Sequence, residues 1–212
     1  MAAVLSRGPF DPADLFAGAG RSLLRQADAV KGREQRDGWG AAFYRAGTGP
    51  ELVKSPAPAF AQKERFTRAV SGARPGLSVA HIRQASNPLG LAAKRLLGAA
   101  NIQPFSGNGF IFTHNGTLEI PSEIKSALGK YEKFVKGVND SEVLFWQVMK
   151  MLDATGDPAL ALEMAVEETR TVWLSVKSRH PAKKSPYSGL NIFLSDGRTL
   201  WVLCPYTPDS GK

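Results

Sequence analysis

Two long helical patterns stand side by side in the last third of the chain, and strand-like runs lie on both sides of them. In residues 141–153, Leu144, Val148 and Leu152 fall on one stripe, with Phe145 and Met149 beside it. Pro158 opens the second pattern, over about 159–178. Strand character precedes the pair at 3–7, 41–44, 51–54, 77–82 and 109–113. After it, Leu190–Leu194 and Leu200–Leu203 flank Ser195-Asp196-Gly197 as a β-hairpin. Strands, a helical block, then strands again predict an α+β domain with sheet packed on sheet and helices outside.

Shorter signals fill in the rest. Asp11-Pro12-Ala13-Asp14 starts a helix that Leu15, Phe16, Leu23 and Leu24 would continue, although Gly18 and Gly20 weaken its middle. Gly47 and Gly49 mark a turn between two strands. Residues 59–71 read as a surface helix with Phe60, Phe66 and Val70 on related faces. Asn101–Phe105 and Gly109–Thr113 read as paired strands around Ser106-Gly107-Asn108. No repeat, low-complexity tract or linker interrupts the 212 residues, and that length suffices for a full core.

Composition narrows the function classes. No apolar stretch approaches membrane-spanning length, and the N-terminus lacks the h-region of a signal peptide. Cys204 is the single cysteine, which excludes an internal disulfide framework and points to a reducing cytoplasm. The formal charge of +8 raises the prospect of an anionic partner, but the basic residues are scattered and no nucleic-acid motif accompanies them. The expected surface is basic and solvated, not a nucleic-acid interface.

Three segments carry chemistry. The apolar run Gly109–Phe112 leads into Thr113-His114-Asn115-Gly116. Asn115 can supply a side-chain N–H and Gly116 a backbone N–H aimed at a developing oxyanion. Asn-Gly is equally a favoured two-residue hairpin loop. Arg83 follows the strand Val79-Ala80-His81-Ile82, where alternation sets His81 and Arg83 on the face opposite Ala80 and Ile82. Its planar fork suits a carboxylate, though a plain surface arginine reads as well. His81 and His114 read as packed, hydrogen-bonded histidines. Asp140, behind Asn139 and ahead of Glu142, either caps a helix start or grips an ammonium group. Arg83 and Asp140 together would clamp both charges of a free α-amino acid.

Taken in order, these segments resemble the class II glutamine amidotransferases, in particular their compact stand-alone branch. The resemblance runs through Asp37-Gly38-Trp39-Gly40 with Phe43-Tyr44, Val53-Lys54-Ser55-Pro56, Ala80–Ala85, Asn101 with Pro104-Phe105, His114-Asn115-Gly116, Asp140-Ser141-Glu142, and Leu194–Gly197. It implies one amidotransferase domain over 1–212 with the N-terminal-nucleophile fold, a four-layer αββα sandwich of two mainly antiparallel sheets. It also implies that Asn115 and Gly116 form the oxyanion hole, that Arg83 binds the α-carboxylate of glutamine and Asp140 its α-amino group, and that Ser86 sits near the substrate. Trp39-Gly40 would lie on the strand beside the active-site end. No cofactor and no metal are implied. The partners are glutamine or a γ-glutamyl compound and, for the released ammonia, a synthase or ligase protein.

The chain departs from this pattern at three places. Family members carry a cysteine after the initiator Met. Once the Met is removed, the thiol attacks the glutamine side-chain amide, ammonia leaves, and water releases glutamate from the thioester. Ala2 stands at that position, and a methyl group cannot attack a carbonyl. Cys204 has no terminal amine, and Ser6 would act only after a cleavage. Gln103 stands where a histidine is usual, and the chain stops at Lys212, where members usually continue for several strands; that leaves open whether the second sheet is complete. The expectation is a ligand-binding domain, inactive as written. It is either an engineered Cys-to-Ala form of a glutaminase or a natural pseudo-enzyme serving as a structural or regulatory subunit.

Overall fold

A computed structural model describes residues 1–45, 49–72 and 74–204. Eight strands form two four-stranded antiparallel sheets. The first holds β1 (Ala2–Phe10), β2 (Trp39–Arg45), β3 (Gly49–Ser55) and β4 (Arg74–Ile82), in the order β1-β4-β2-β3. The second holds β5 (Phe105–Gly107), β6 (Phe110–Leu118), β7 (Tyr187–Ser195) and β8 (Leu200–Leu203), in sequence order. The helices are α1 (Leu23–Gln26), α2 (Lys63–Val70), α3 (Ala93–Leu96), α4 (Pro121–Ser126), α5 (Asp140–Thr155) and α6 (Pro158–Val176).

Side-chain alternation makes three apolar layers from these elements. Ala80 and Ile82 of β4 pack with Phe16, Leu24, Phe66 and Val70 of the short helices. The opposite face of β4 gives Leu77 and Val79, which meet Ile111 of β6 between the sheets. The far face of β6 gives Phe112 and Leu118, which pack with Leu144, Phe145 and Val148 of α5 and with Ala161 and Ala165 of α6. Helix, sheet, sheet and helix thus make the expected αββα sandwich.

Several boundaries differ from the sequence reading. The helix expected from Asp11 is two short pieces, a π-helical turn over Asp14–Gly18 and α1, which Ser22 caps by accepting from the Arg25 N–H. Gly18 and Gly20 sit at the break, where their backbone freedom weakens a helix. The 59–71 helix divides into a 3₁₀ turn (Ala59–Ala61) and α2, which buries Phe66 and Val70. Residues 101–104 are not strand: a 3₁₀ turn (Ala99–Asn101) and Pro104, which has no ladder N–H, precede β5.

The Asn-Gly turn signal is genuine but belongs to Asn108-Gly109. Both residues have positive φ, and Gly107 pairs with Phe110 across them, as a two-residue hairpin demands. His114-Asn115-Gly116 instead lies within β6, whose ladder with β7 shifts register after Gly116. The expected turn residue Gly47 lies outside the described residues, and Gly49 begins β3.

Candidate functional site

The site forms where β4 and β6 approach from opposite sheets. Ala2 opens β1 opposite Ala80, which carries the chain's start to the end of β4. Gly40 on β2 lies opposite His81, and a Cβ there would come within 2.2 Å of the Gln103 carbonyl oxygen. The missing side chain therefore lets residues 103–104 run close under the first sheet. Trp39, fully buried one residue earlier, pairs with Ile82, so Trp39-Gly40 lies beside the site as expected.

A cavity of about 370 Å³ opens here, lined by Met1, His81, Arg83, Ser86, Gln103, Asn115, Gly116 and Ser141 among others. Segments far apart in sequence thus meet; Met1 lines the cavity with Asn115, whereas Ala2, the expected nucleophile position, packs with the apolar layer of Ala80 and Ile82. Among the described residues the Asn115 side-chain amide has no protein hydrogen-bond partner, so both of its N–H groups are open to a ligand. Gly116 has a φ of 151°, and a Cβ there would meet the Gly189 carbonyl oxygen at 2.1 Å. Only glycine fits this close approach to β7.

The two clamp residues are both buried, and both are engaged within the protein. Arg83 Nη1 donates to the Asp37 carbonyl at 3.4 Å and to the Leu96 carbonyl at 2.9 Å. Burial lowers its pKa, the carboxylates of Asp37 and Asp140 oppose this, and guanidinium remains a cation at any working pH. Asp140 does not face the cavity. Its Oδ1 accepts from Ser86 Oγ at 2.7 Å and its Oδ2 from the Leu118 N–H at 2.7 Å. Ser86 stands between Asp140 and the cavity, so an ammonium reaching Asp140 must replace the Ser86 hydrogen bond.

Behind Asn115 lies a polar network that the sequence did not announce. Gln103 Nε2 donates to the His114 carbonyl at 2.9 Å, and Gln103 Oε1 accepts from the His114 N–H at 2.6 Å. The Gly189 carbonyl lies 3.4 Å from His114 Nε2, which assigns the ring proton to that nitrogen. Nδ1 then accepts from Ser141 Oγ at 3.0 Å, and Ser141 accepts from Gln103 Nε2 at 3.2 Å. Burial lowers the His114 pKa, with Asp140 and the Gly189 backbone opposing, so the ring stays neutral. Asn139 caps α5 by accepting from the Ser141 N–H, and its own amide donates to the Asn101 carbonyl.

His81 is buried with Nδ1 lacking a hydrogen-bond partner. Burial lowers its pKa to about 3, and the N-terminal ammonium, His114 and Arg83 push the same way. Burial also lowers the pKa of the Met1 amine. Among the described residues no group of three His, Cys, Asp or Glu side chains could hold a metal ion, and no helix is long and apolar enough to cross a membrane.

Comparison with known proteins agrees with this geometry. The pattern of the class-II glutamine amidotransferases matches residues 22–207. The fold is similar to that of a glutamine aminotransferase class-II domain protein from Silicibacter pomeroyi, at 24% identity and a TM-score of 0.57, over 82% of this chain and 71% of that one. It is also similar to the glutamine phosphoribosylpyrophosphate amidotransferase of B. subtilis complexed with ADP and GMP, at 13% identity and a TM-score of 0.57, over 94% of this chain and 36% of that one. A third solved structure, described as the allosteric regulatory enzyme of purine biosynthesis, matches at 13% identity and a TM-score of 0.55, over 91% and 34% of the two chains. The chain thus spans about a third of the length of these last two proteins. No curated protein matches it.

Proposed function

The chain belongs to the class-II glutamine amidotransferases, and from that premise we propose that it holds glutamine or a γ-glutamyl compound in the Arg83–Asn115–Gly116 cavity without hydrolysing it. The observation that carries this reading is the composition of that cavity. An arginine fork, a free side-chain amide and a glycine-only backbone approach line one space with Met1, and the residue after Met1 is Ala2.

In this reading Arg83 takes the α-carboxylate, and the ligand's ammonium displaces Ser86 from Asp140. The side-chain carbonyl points at Asn115 and Gly116. These donors stabilise negative charge that forms when a nucleophile attacks, and Ala2 offers no nucleophile. Glutamine therefore binds and stays intact. The family reaction, hydrolysis to glutamate with ammonia passed to an acceptor, stops before its first covalent step.

Two explanations of Ala2 fit: an engineered change in a working glutaminase, or a natural pseudo-enzyme acting as a structural or regulatory subunit of a synthase or ligase. The Gln103 network favours the second. The residue that departs from the usual histidine is fully hydrogen-bonded and holds β6 in place. One domain over 1–212 and a reducing, cytoplasmic location complete the proposal. A thermal-unfolding titration tests it. Millimolar glutamine should raise the melting temperature by mass action, with no ammonia released. Absence of any shift leaves the structural-subunit reading, and family-like glutamate release defeats both.

A further inference from the structure

Back to back with the first cavity lies a second, of about 290 Å³. Gln103 and Ser141 line the first, whereas Phe105 and Glu142 line the second, so the two share a wall only one or two residues thick. Lys54 of β3 enters this second space from the first sheet, and Phe134, Lys136 and Trp146 close its other sides.

The chemistry of the lining is specific. The Lys54 ammonium sits 5.2 Å from the Phe105 ring centroid. Among the described residues it donates no hydrogen bond and has no carboxylate within ion-pair distance. Glu142 is the nearest candidate counter-ion, but its two oxygens already accept from the Lys136 N–H at 2.9 Å and the Gly137 N–H at 2.7 Å. Trp146 and Phe134 stack at 4.8 Å and 27°, each covering one face of the other, and with Phe105 and Phe145 they make the lining strongly aromatic. Gly107 lets Trp146 lie close, since a Cβ there would meet the indole at 2.7 Å. Lys136 also lines the space, its Nζ donating to the Lys133 carbonyl at 3.2 Å.

We propose that this second cavity is a binding site for a small aromatic carboxylate, its ring among Phe105, Phe134 and Trp146 and its carboxylate on the Lys54 ammonium. A half-buried ammonium without an acceptor gains most from an anion, because charge-assisted hydrogen bonds strengthen as water is excluded. At about 290 Å³ the space lies just below the range of about 300–1,000 Å³ for drug-sized ligands, which suits a single-ring acid. Burial lowers the Lys54 pKa to about 8, with Glu142 opposing, which is the signature of a cation short of counter-charge. The site stands on its own residues, whether or not the first cavity binds glutamine.

Benzoate is the probe. Titrated into the full chain, it should shift the Trp146 indole N–H resonance saturably in the millimolar range. Lys54→Met should abolish the response, whereas Lys54→Arg should retain it. Arg83→Lys should leave it unchanged, which separates this site from the first cavity. No saturable shift in the unaltered protein overturns the proposal. So does a response that survives Lys54→Met, or one that Arg83→Lys removes. If Lys54→Met does not unfold cooperatively, Lys54→Gln serves in its place under the same criteria.

Discussion

The Gln103 side-chain amide makes both hydrogen bonds that a neighbouring strand would make to His114, donating to its carbonyl and accepting from its N–H. A single side chain thus stands in for a missing strand at the residue before Asn115. It also reaches Ser141, which holds the His114 ring. A histidine at this position would have one donor and one acceptor on a rigid ring and could not copy this planar two-point clamp.

Gln103→Leu should therefore be strongly destabilising. It strands a buried N–H and a buried carbonyl, each costing about 1–3 kcal/mol. Denaturant unfolding should show a loss of at least about 2 kcal/mol, and glutamine affinity should fall as Asn115 loses its support. A Gln103→Leu protein of unchanged stability would mean that water replaces the amide and the clamp carries little.

His81 contributes to the acid limb of stability, alongside His114, whose pKa burial also lowers. The His81 pKa is about 3 in the fold, against about 6.5 in an unfolded chain. Between those values the unfolded state holds one more proton, so stability rises with pH across the window and is lost as pH falls from 6.5 toward 3. Above 6.5 the group contributes no slope. His81→Gln should flatten the urea-midpoint profile below pH 6.5 by up to about 1.4 kcal/mol per pH unit. An unchanged acid slope in that variant would show that His81 is not held neutral.

Much of the sandwich was legible because alternation and helical stripes report which faces are buried. Ala80 and Ile82 pack into the layer on the helix side as assigned, His81 and Arg83 line the cavity, and α5 and α6 lie within a few residues of their predicted bounds. The Asn-Gly at 115–116 was ambiguous because turn chemistry and close backbone approach both select glycine. Only the contact with Gly189, on a strand far along the chain, decides it. Gln103 and Ser141 gave no local signal at all. Their roles exist only through His114, a tertiary partner that spacing cannot reveal. The sequence did flag Gln103 as a departure, which was the one available hint. For Asp140, alternation and capping rules gave its place at a helix start, yet not that Ser86 and Leu118 would occupy both oxygens.

Arg83 decides whether the cavity is a glutamine site. One of its terminal nitrogens already holds the Asp37 and Leu96 carbonyls. Arg83→Lys should keep a charge but lose the planar fork. Binding of glutamine, followed by calorimetry, should weaken by about ten- to a hundred-fold, the equivalent of one charge-assisted bond of about 1.5–3 kcal/mol. Arg83→Ala should weaken it at least as far and also lower stability, since Leu96 then loses its donor. Glutamine affinity unaltered in Arg83→Lys would place the ligand elsewhere.

Ala2→Cys is the sharpest test of what this cavity was built for. Removal of a nucleophile typically costs about 10⁴–10⁶ in rate, so restoring it at an intact site should return measurable turnover. Asn115 and Gly116 line the same cavity as Met1. Met1 lines the cavity, so its removal leaves the new amine beside it, whereas Ala2 packs with the layer of Ala80 and Ile82, so the new thiol must turn toward Asn115 and Gly116 to act. Small residues at position 2 favour that removal, and mass spectrometry should confirm, before assay, a trimmed chain that begins with the introduced cysteine. The thiol would add to the side-chain carbonyl of glutamine and expel ammonia, and water would then release glutamate and regenerate the thiol. Ammonia and glutamate in equal amounts from the trimmed variant, with none from the unaltered protein, would mark Ala2 as the single lesion in a glutaminase. A trimmed, folded and glutamine-binding variant that releases neither would mean the Gln103 network or the engaged Ser86–Asp140 pair has diverged too far for catalysis, and the pseudo-enzyme reading would stand alone.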